Sequence, residues 1–304
     1  MEKIFICGIG GLVGGKLANL SRDEFEIHGS FNLRDPKFDY VKSYQLDITN
    51  YDKLKTIIEN IEPDIIINAT ALNNVDYCEE HEDEANEVNF KAVLKLSEIS
   101  NSINSKFVHL STDSIFDGTK KEPYNELDIS NPINNYGRSK LHGEKEVLKF
   151  QNNLVIRASV LYGWLPKSLS SKKTSSLKQI NFAQWLISKL ELNEKVNITS
   201  EEFSSPIIAD DFAKSILHLI LNKESGIFHS APALCISRYD FSIKLANYLN
   251  LDSSLIIPTT TEKLGRGVNT AKNKCLNSTK MINTNFKFLT LDESFELIKK
   301  EMSI

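Results

Sequence analysis

Short apolar runs alternate with stretches of helical periodicity along the first half of the chain. The apolar runs predict buried parallel strands at 3–8, 25–30, 64–70, 106–112 and 153–159. The periodic stretches predict helices at 12–20, 51–61, 83–103 and 136–149. Strands that alternate with helices form right-handed βαβ units. The pattern therefore predicts an α/β fold with a doubly wound parallel sheet of the Rossmann type.

This alternation stops after Ser159. Residues 166–179 read PKSLSSKKTSSLKQ, and their richness in serine and lysine predicts a mobile surface loop. More helices and short strands follow, and the last helix is predicted near 291–302. We therefore expect a dinucleotide-binding domain at 1–160. A mainly substrate-binding domain at 161–304 is expected to be partly interleaved with it.

Composition excludes several classes of function. Of the 304 residues 41% are hydrophobic and 25% charged, which is typical of a globular protein. A net charge of −4 favours neither nucleic acid nor a membrane as partner, and no apolar run reaches the roughly 18 residues of a membrane helix. The four cysteines form no CxxC pair, so we expect free thiols and a cytoplasmic protein. The acidic stretch at 78–84 favours a solvated helix start over a metal site.

Three glycines follow the first predicted strand. Gly8, Gly11 and Gly14 are spaced G-x-x-G-x-x-G and directly precede a predicted helix. Glycine allows a tight turn and a close approach of the backbone to a pyrophosphate, which the helix N-terminus attracts. The alternative is a glycine-rich turn that binds nothing. The position between strand and helix favours a dinucleotide site.

The end of the second predicted strand bears on the choice of dinucleotide. An acidic residue there would bind the ribose 2′-hydroxyl of NAD, but the strand ends in GSFN at 29–32. Arg34 follows and suits the 2′-phosphate of NADP. Asp35 is at about the right distance for NAD, although it lies in a turn before Pro36. We therefore expect NADP as the preferred cofactor, with NAD as the alternative.

The stretch YGRSK places Tyr136 and Lys140 one helical turn apart. A ketone that receives a hydride needs a proton on its oxygen. A tyrosine can supply it if a nearby lysine and the positive nicotinamide of the oxidised cofactor lower its pKa. Lys140 is the expected cation and a candidate to hold the nicotinamide ribose. Ser111 and Thr112 end a predicted strand and offer hydroxyls for the carbonyl. Without the glycine turn, the pair would equally fit a surface helix.

Several of these motifs together carry a family resemblance. They are CGIGGLVG (7–14), LDIT (46–49), NATALNNVDYCE (68–79), VN (88–89), STDSIFDG (111–118), YGRSK (136–140), VIRASVLYG (155–163), SSPIIADDFA (204–213) and KNKCLNSTK (272–280). The chain resembles an extended short-chain dehydrogenase/reductase, and more narrowly the dTDP-4-dehydrorhamnose reductase family. The resemblance implies an NAD(P)H-dependent reductase of a nucleotide-activated keto-deoxysugar, and it allows a homodimer.

The resemblance also implies roles for individual residues. Thr112 would hold the sugar carbonyl, Tyr136 would act as general acid, and Lys140 would tune Tyr136 and bind ribose. Cofactor contacts are expected from Gly8, Gly10, Gly11, Leu12, Val13, Gly14, Arg34, Asp47, Ile48, Ala69, Thr70, Ala71, Asn73, Ser111, Tyr136 and Lys140. Substrate contacts are expected from Val75, Asp76, Thr112, Asp113 and Val160. Asn89 matches a family asparagine, or else simply joins a helix to a strand.

Departures from the family pattern leave two alternatives open. Ser114 replaces the family's tyrosine, Val160 replaces a frequent tryptophan, and Thr270 with Ala271 replaces Arg-Pro. A sugar-nucleotide epimerase or dehydratase is one alternative, although dehydratases of this superfamily carry a glutamate where Ser114 stands. The other is a cofactor-binding regulatory subunit similar to the β subunit of methionine adenosyltransferase. An intact set of Thr112, Tyr136 and Lys140 favours the reductase.

Overall fold

A seven-stranded parallel sheet forms the centre of the molecule in the computed structural model, which describes residues 1–165, 180–265 and 267–303. Its strand order is β3-β2-β1-β4-β5-β6-β11. The strands are β1 (Lys3–Cys7), β2 (Glu26–Phe31), β3 (Lys42–Gln45), β4 (Ile65–Asn68), β5 (Lys106–Thr112), β6 (Leu154–Ala158) and β11 (Gly226–Ser230). The predicted α/β class with a doubly wound parallel sheet is confirmed.

Helices cover both faces of this sheet. The helices of the described residues, including those of the smaller lobe, are α1 (Leu12–Ser21), α2 (Tyr51–Ile61), α3 (Val75–Glu80), α4 (Glu82–Asn86), a π-helical turn (Glu87–Lys91), α5 (Ala92–Ser102), α6 (Asn135–Val147), α7 (Phe182–Glu191), α8 (Ala209–Leu221), α9 (Arg238–Tyr248), α10 (Thr279–Ile282) and α11 (Leu291–Met302). None of the helices in the described part of the chain is long and apolar enough to cross a membrane.

Alternate residues of the central strands serve different faces. Ile4 and Ile6 of β1 pack in one buried cluster with Phe212 of α8, whereas Phe5 packs in another with Leu96 of α5. These side chains are fully buried, so both faces of the sheet are closed by helices. The strand order reverses between β1 and β4, which opens a crevice at the carboxyl ends of the strands.

Short strands from the second half of the chain form a smaller lobe beside this crevice. They are β7 (Leu161–Tyr162), β8 (Val196–Thr199), β9 (Phe203–Ser204), β10 (Ile207–Ile208), β12 (Ile236–Ser237), β13 (Ile256–Thr259) and β14 (Asn273–Lys274). β9 pairs with both β12 and β14. The expected division at residues 160 and 161 stays a prediction, and β11 enters the main sheet from beyond it. The predicted loop at 166–179 lies outside the described residues.

The expectation of four free thiols is wrong. Cys235 and Cys275 form a disulfide between the chain just before β12 and the chain just after β14. The two cysteines are 40 residues apart and form no recognisable sequence motif. They meet because β12 and β14 both pair with β9 in the small sheet. The cytoplasmic expectation loses the support that it drew from free thiols and stays a prediction.

Candidate active site

The glycine turn between β1 and α1 is held too tightly for larger side chains. Gly8 has a φ of +88°, which favours glycine. A Cβ on Gly14 would collide with the Gly8 carbonyl oxygen, and a Cβ on Gly10 with the carbonyl oxygen of Arg34. Gly11 is the N-cap of α1 and supplies no side-chain cap, so the first N–H groups of the helix are available to an anion.

The end of β2 brings an arginine to the same crevice. Arg34 lines the cleft and only 5% of its surface is exposed. The Asp35 carboxylate instead forms an ion pair with the Lys37 ammonium at 2.9 Å. Asp35 is not among the residues that line the cleft. This arrangement fits a phosphate beside the adenosine ribose better than it fits a bare ribose hydroxyl.

Two asparagines fix the loop that follows β4. The side-chain oxygen of Asn68 accepts hydrogen bonds from the Thr70 backbone N–H (3.1 Å) and hydroxyl (2.6 Å). Asn89, in the π-helical turn, accepts from the Leu72 N–H at 2.9 Å and donates to the Leu72 carbonyl at 3.0 Å. It also donates to the Ser139 hydroxyl at 3.1 Å, which ties the loop to α6. Asn89 therefore does join a helix to the loop after a strand.

Tyr136 and Thr112 come together at the carboxyl end of β5. Asn134 caps α6 by accepting from the Gly137 N–H at 2.9 Å, which places Tyr136 in the first helical turn. A Cβ on Gly137 would collide with the Ser114 carbonyl oxygen, so glycine lets α6 approach the chain after Thr112. Gly137 of the YGRSK motif therefore allows Tyr136 to lie close to Thr112.

Burial raises the pKa of Tyr136, although a hydrogen bond with Thr112 opposes the shift. The lowered pKa expected from Lys140 together with the nicotinamide concerns the complex with cofactor, and it stays a prediction. The Lys140 Nζ donates to the Leu110 carbonyl at 2.6 Å and lies 3.1 Å from Nε2 of the His109 ring. Burial in turn lowers the pKa of Lys140 to about 8.

Asp113 braces the threonine rather than facing the solvent. The Thr112 hydroxyl donates to one Asp113 carboxylate oxygen at 3.2 Å, and the Ser114 hydroxyl donates to the same oxygen at 3.2 Å. The Ser159 hydroxyl donates to the other oxygen at 2.7 Å. The buried carboxylate therefore fixes the rotamer of Thr112 and joins β5 to the chain after β6.

Most of the predicted site residues line one cleft of about 1020 Å³. The predicted site residues along it are Gly8, Gly10, Gly11, Leu12, Val13, Arg34, Asp47, Ile48, Ala69, Thr70, Ala71, Asn73, Val75, Ser111, Thr112, Asp113, Tyr136, Lys140 and Val160. Two predicted residues are not brought into it. Gly14 packs under the glycine turn, and Asp76 lines a separate cavity of about 350 Å³ with Glu79 and Glu80.

The smaller lobe supplies a wall of the cleft that sequence reasoning missed. The residues that form this wall include Phe182, Gln184, Trp185, Asn197, Thr199, Arg238, Leu264 and Lys274. The Arg238 guanidinium lies over the Phe182 ring at 4.7 Å, so a cation and aromatic rings lie together there. They come from distant segments, and only the start of α9 at a capping serine gave a local signal.

Taken together, the sheet and the cleft are those of a dinucleotide-binding α/β protein of the short-chain dehydrogenase/reductase type. The chain belongs to the family described as the RmlD substrate binding domain, whose model matches residues 1–301.

Relatives support this placement. The chain is 31% identical to the "Probable low-salt glycan biosynthesis reductase Agl14" of Haloferax volcanii, covering 90% of this chain and 88% of that protein. It is 29% identical to the dTDP-4-dehydrorhamnose reductase of Aggregatibacter actinomycetemcomitans, with 92% of each covered. A crystal structure of Bacillus anthracis dTDP-4-dehydrorhamnose reductase in complex with NADP superposes with a TM-score of 0.83, at 26% identity and 99% coverage of both chains.

Proposed function

We propose that the protein is an NADPH-dependent reductase of a nucleotide-activated keto-deoxysugar, of the dTDP-4-dehydrorhamnose type. The observation that carries this is the common cleft of Thr112, Tyr136 and Lys140 with the glycine turn. Reductases of this family, one of them solved with NADP, share nearly the whole chain.

The chain's own residues fit the dinucleotide. The first N–H groups of α1 would hold its diphosphate, and Arg34 would hold the 2′-phosphate. Asp47 and Ile48 would lie beside the adenine, and residues 69–73 would line the nicotinamide side. The Ser111 hydroxyl is buried at the cleft wall and finds no partner among the described residues, which fits a site built for a ligand. When bound, the cofactor supplies the hydride.

Tyr136 is the proposed proton donor. Its raised pKa keeps the phenol protonated at neutral pH, which suits a group that must give a proton to the developing alkoxide. Thr112 would turn its single hydroxyl hydrogen from the Asp113 carboxylate to the same oxygen and so orient the carbonyl. Because Asp113 also accepts from Ser159, this orientation does not depend on a mobile side chain.

Two alternatives remain as outcomes of the test. Ser114 offers a hydroxyl that donates to Asp113, and a dehydratase would need a carboxylate there. An epimerase would use the same cofactor cleft without net oxidation of NADPH. A regulatory subunit would bind NADPH and turn nothing over. We also propose that the protein is a homodimer and is cytoplasmic. The division into domains at 1–160 and 161–304 is a further prediction.

The first test is turnover of NADPH with a dTDP-4-keto-6-deoxysugar, followed through the absorbance of the reduced nicotinamide. Wild type should oxidise NADPH, and Tyr136→Phe should lose about 10²- to 10⁴-fold in kcat while still binding NADPH. The matched control is Tyr248→Phe, whose hydroxyl donates to Glu296 at 3.1 Å outside the cleft. A wild type that binds NADPH but reduces no keto-sugar would overturn the proposal in favour of the regulatory alternative.

A further inference from the structure

A line of buried polar side chains lies behind Lys140. The lysine Nζ is 3.1 Å from Nε2 of His109, and Nδ1 of the same ring is 3.3 Å from the Asn68 side-chain nitrogen. None of these three residues is more than 1% exposed. These three residues connect Thr70, on the cofactor side of the cleft, with α6, the helix that carries Tyr136 and Lys140.

The backbone fixes which way this line is protonated. The Thr70 N–H can only donate, and it donates to the Asn68 oxygen at 3.1 Å. The amide nitrogen of Asn68 therefore faces His109 and donates to Nδ1. A neutral imidazole that accepts at Nδ1 carries its hydrogen on Nε2. That hydrogen points at the Nζ of Lys140.

The resulting contact favours one charge state of the lysine. An ammonium has three donors and no acceptor, so an ammonium opposite Nε2–H sets donor against donor. A neutral amine accepts the Nε2–H while it still donates to the Leu110 carbonyl. Burial shifts the same equilibrium, since it lowers the pKa of Lys140 to about 8 and that of His109 well below its ordinary value.

The charged neighbours of Lys140 are few. Glu144, one turn further along α6, raises the pKa of the lysine, but it is itself paired with Arg157 of β6 at 2.7 Å. His109 faces the lysine from β5. Asp113, which acts on the pKa of Tyr136, is engaged by hydroxyl groups. Among the described residues, His109 is therefore the titratable group with a hydrogen-bond contact to Nζ.

We propose that His109 positions Lys140 and, through its Nε2–H, favours the neutral amine, so that Lys140 readily releases a proton towards Tyr136. This role rests on the proposed reductase function. Tyr136 gives its proton to the substrate oxygen and becomes a phenolate. The Lys140 ammonium then gives one proton towards that phenolate and becomes an amine, which the Nε2–H stabilises. A solvent proton restores the ammonium after product leaves.

The pH profile tests this role. Turnover needs the ammonium, so kcat should fall as the pH rises through about 8, the pKa of Lys140. In His109→Gln the glutamine oxygen can accept from the ammonium, which raises the pKa of the lysine. We expect the alkaline limb to move up by about one pH unit and kcat at neutral pH to fall by about three- to tenfold, with KM little changed.

A matched control separates this effect from lost packing. His28 is also a buried histidine of the same sheet, with Tyr44 and Glu26 as its partners. His28→Gln should lower stability without moving the alkaline limb. Asn68→Asp gives a second variant, because its carboxylate would accept Nδ1–H and leave Nε2 as an acceptor for the ammonium. This variant should also move the limb upward.

The decisive measurement needs no turnover. Nitrogen NMR of the cofactor-free wild type, with His109→Gln assigning the signal, should show His109 neutral with its hydrogen on Nε2. NMR of labelled lysine should show the pKa of Lys140 rising in His109→Gln. A hydrogen on Nδ1, or an unmoved lysine pKa, would overturn the role of His109 even in an active reductase. Confirmation in an inactive protein would instead remove only the proposed function.

Discussion

Arg34 lies where β2 ends, and the close approach of the glycine turn holds its backbone in place. No Cβ fits at Gly10 because the Arg34 carbonyl oxygen occupies that space. The sequence predicted this arginine from its place just after the second predicted strand, and the structure puts Arg34 in the lining of the cleft. The sequence could not decide against Asp35. In the structure Asp35 accepts from the Lys37 backbone N–H at 2.9 Å, pairs with its ammonium and does not line the cleft.

Replacing Arg34 by alanine should therefore change the choice of cofactor. Arg34→Ala should weaken NADPH binding by about 10- to 100-fold, because a charge-assisted contact to the 2′-phosphate is lost, and NADH binding by less than about threefold. Titrations that follow nicotinamide fluorescence measure both affinities. Arg22→Ala removes the same charge from an exposed site near the end of α1 and should alter neither. Equal weakening of NADPH and NADH would show that Arg34 does not contact the 2′-phosphate.

At the scale of elements, apolar periodicity predicted the helices and strands that bury one face in the core of the main sheet. The strand at 106–112 and the helix at 51–61 have the predicted bounds. The helix predicted at 83–103 is instead α4, a π-helical turn and α5, and the turn holds Asn89, which binds the loop after β4. β3 was missed because KSYQ is a polar, mostly exposed edge strand. Periodicity reports burial and carries no signal for either exception.

The approach of α6 to β5 is the element contact on which the site depends. Gly137→Ala would press a methyl group against the Ser114 carbonyl and Pro132. We expect a loss of about 1–3 kcal/mol in the free energy of unfolding, and a fall in kcat because Tyr136 moves away from Thr112. Denaturant unfolding and steady-state kinetics measure the two effects.

Gly15→Ala is the matched control for this substitution. Gly15 is also helical, but its added Cβ would make only ordinary contacts, so alanine should stabilise α1 by up to about 1 kcal/mol. If both variants were equally stable and Gly137→Ala kept its turnover, the close approach of α6 would not matter for catalysis.

At the scale of the molecule, the cleft has one wall from the main sheet and one from the smaller lobe. The sheet wall was predictable because its residues follow strands and lie in recognisable motifs. The lobe wall was not predictable, since Lys274 belongs to the two-residue strand β14 and Arg238 begins the helix directly after the two-residue strand β12. Both strands pair with β9 only after the chain has folded back. The same long-range pairing brings Cys235 to Cys275. The wall that we propose for the sugar is therefore the part of the cleft with the weakest sequence signal.

The disulfide should support that lobe wall. Cys275 directly follows Lys274, Cys235 lies three residues before Arg238, and closure of the loop between the cysteines limits the unfolded chain. Cys235→Ser should lower the free energy of unfolding by about 2–4 kcal/mol. It should also raise KM for the keto-sugar by about three- to tenfold, because two cleft cations lose their fixed positions. The NADPH affinity should hold, since the glycine turn and Arg34 lie on the main sheet.

A dithiol reductant gives the internal control for this prediction. Reduced wild type should behave like Cys235→Ser, and the variant itself should not respond to the reductant. A thiol count on the denatured, unreduced protein should find two thiols, from Cys7 and Cys78. Four thiols would show that the bridge is absent in solution. If the bridge is present but its loss weakens NADPH and the keto-sugar equally, the two walls of the cleft are coupled, and sugar binding cannot be assigned to the lobe alone.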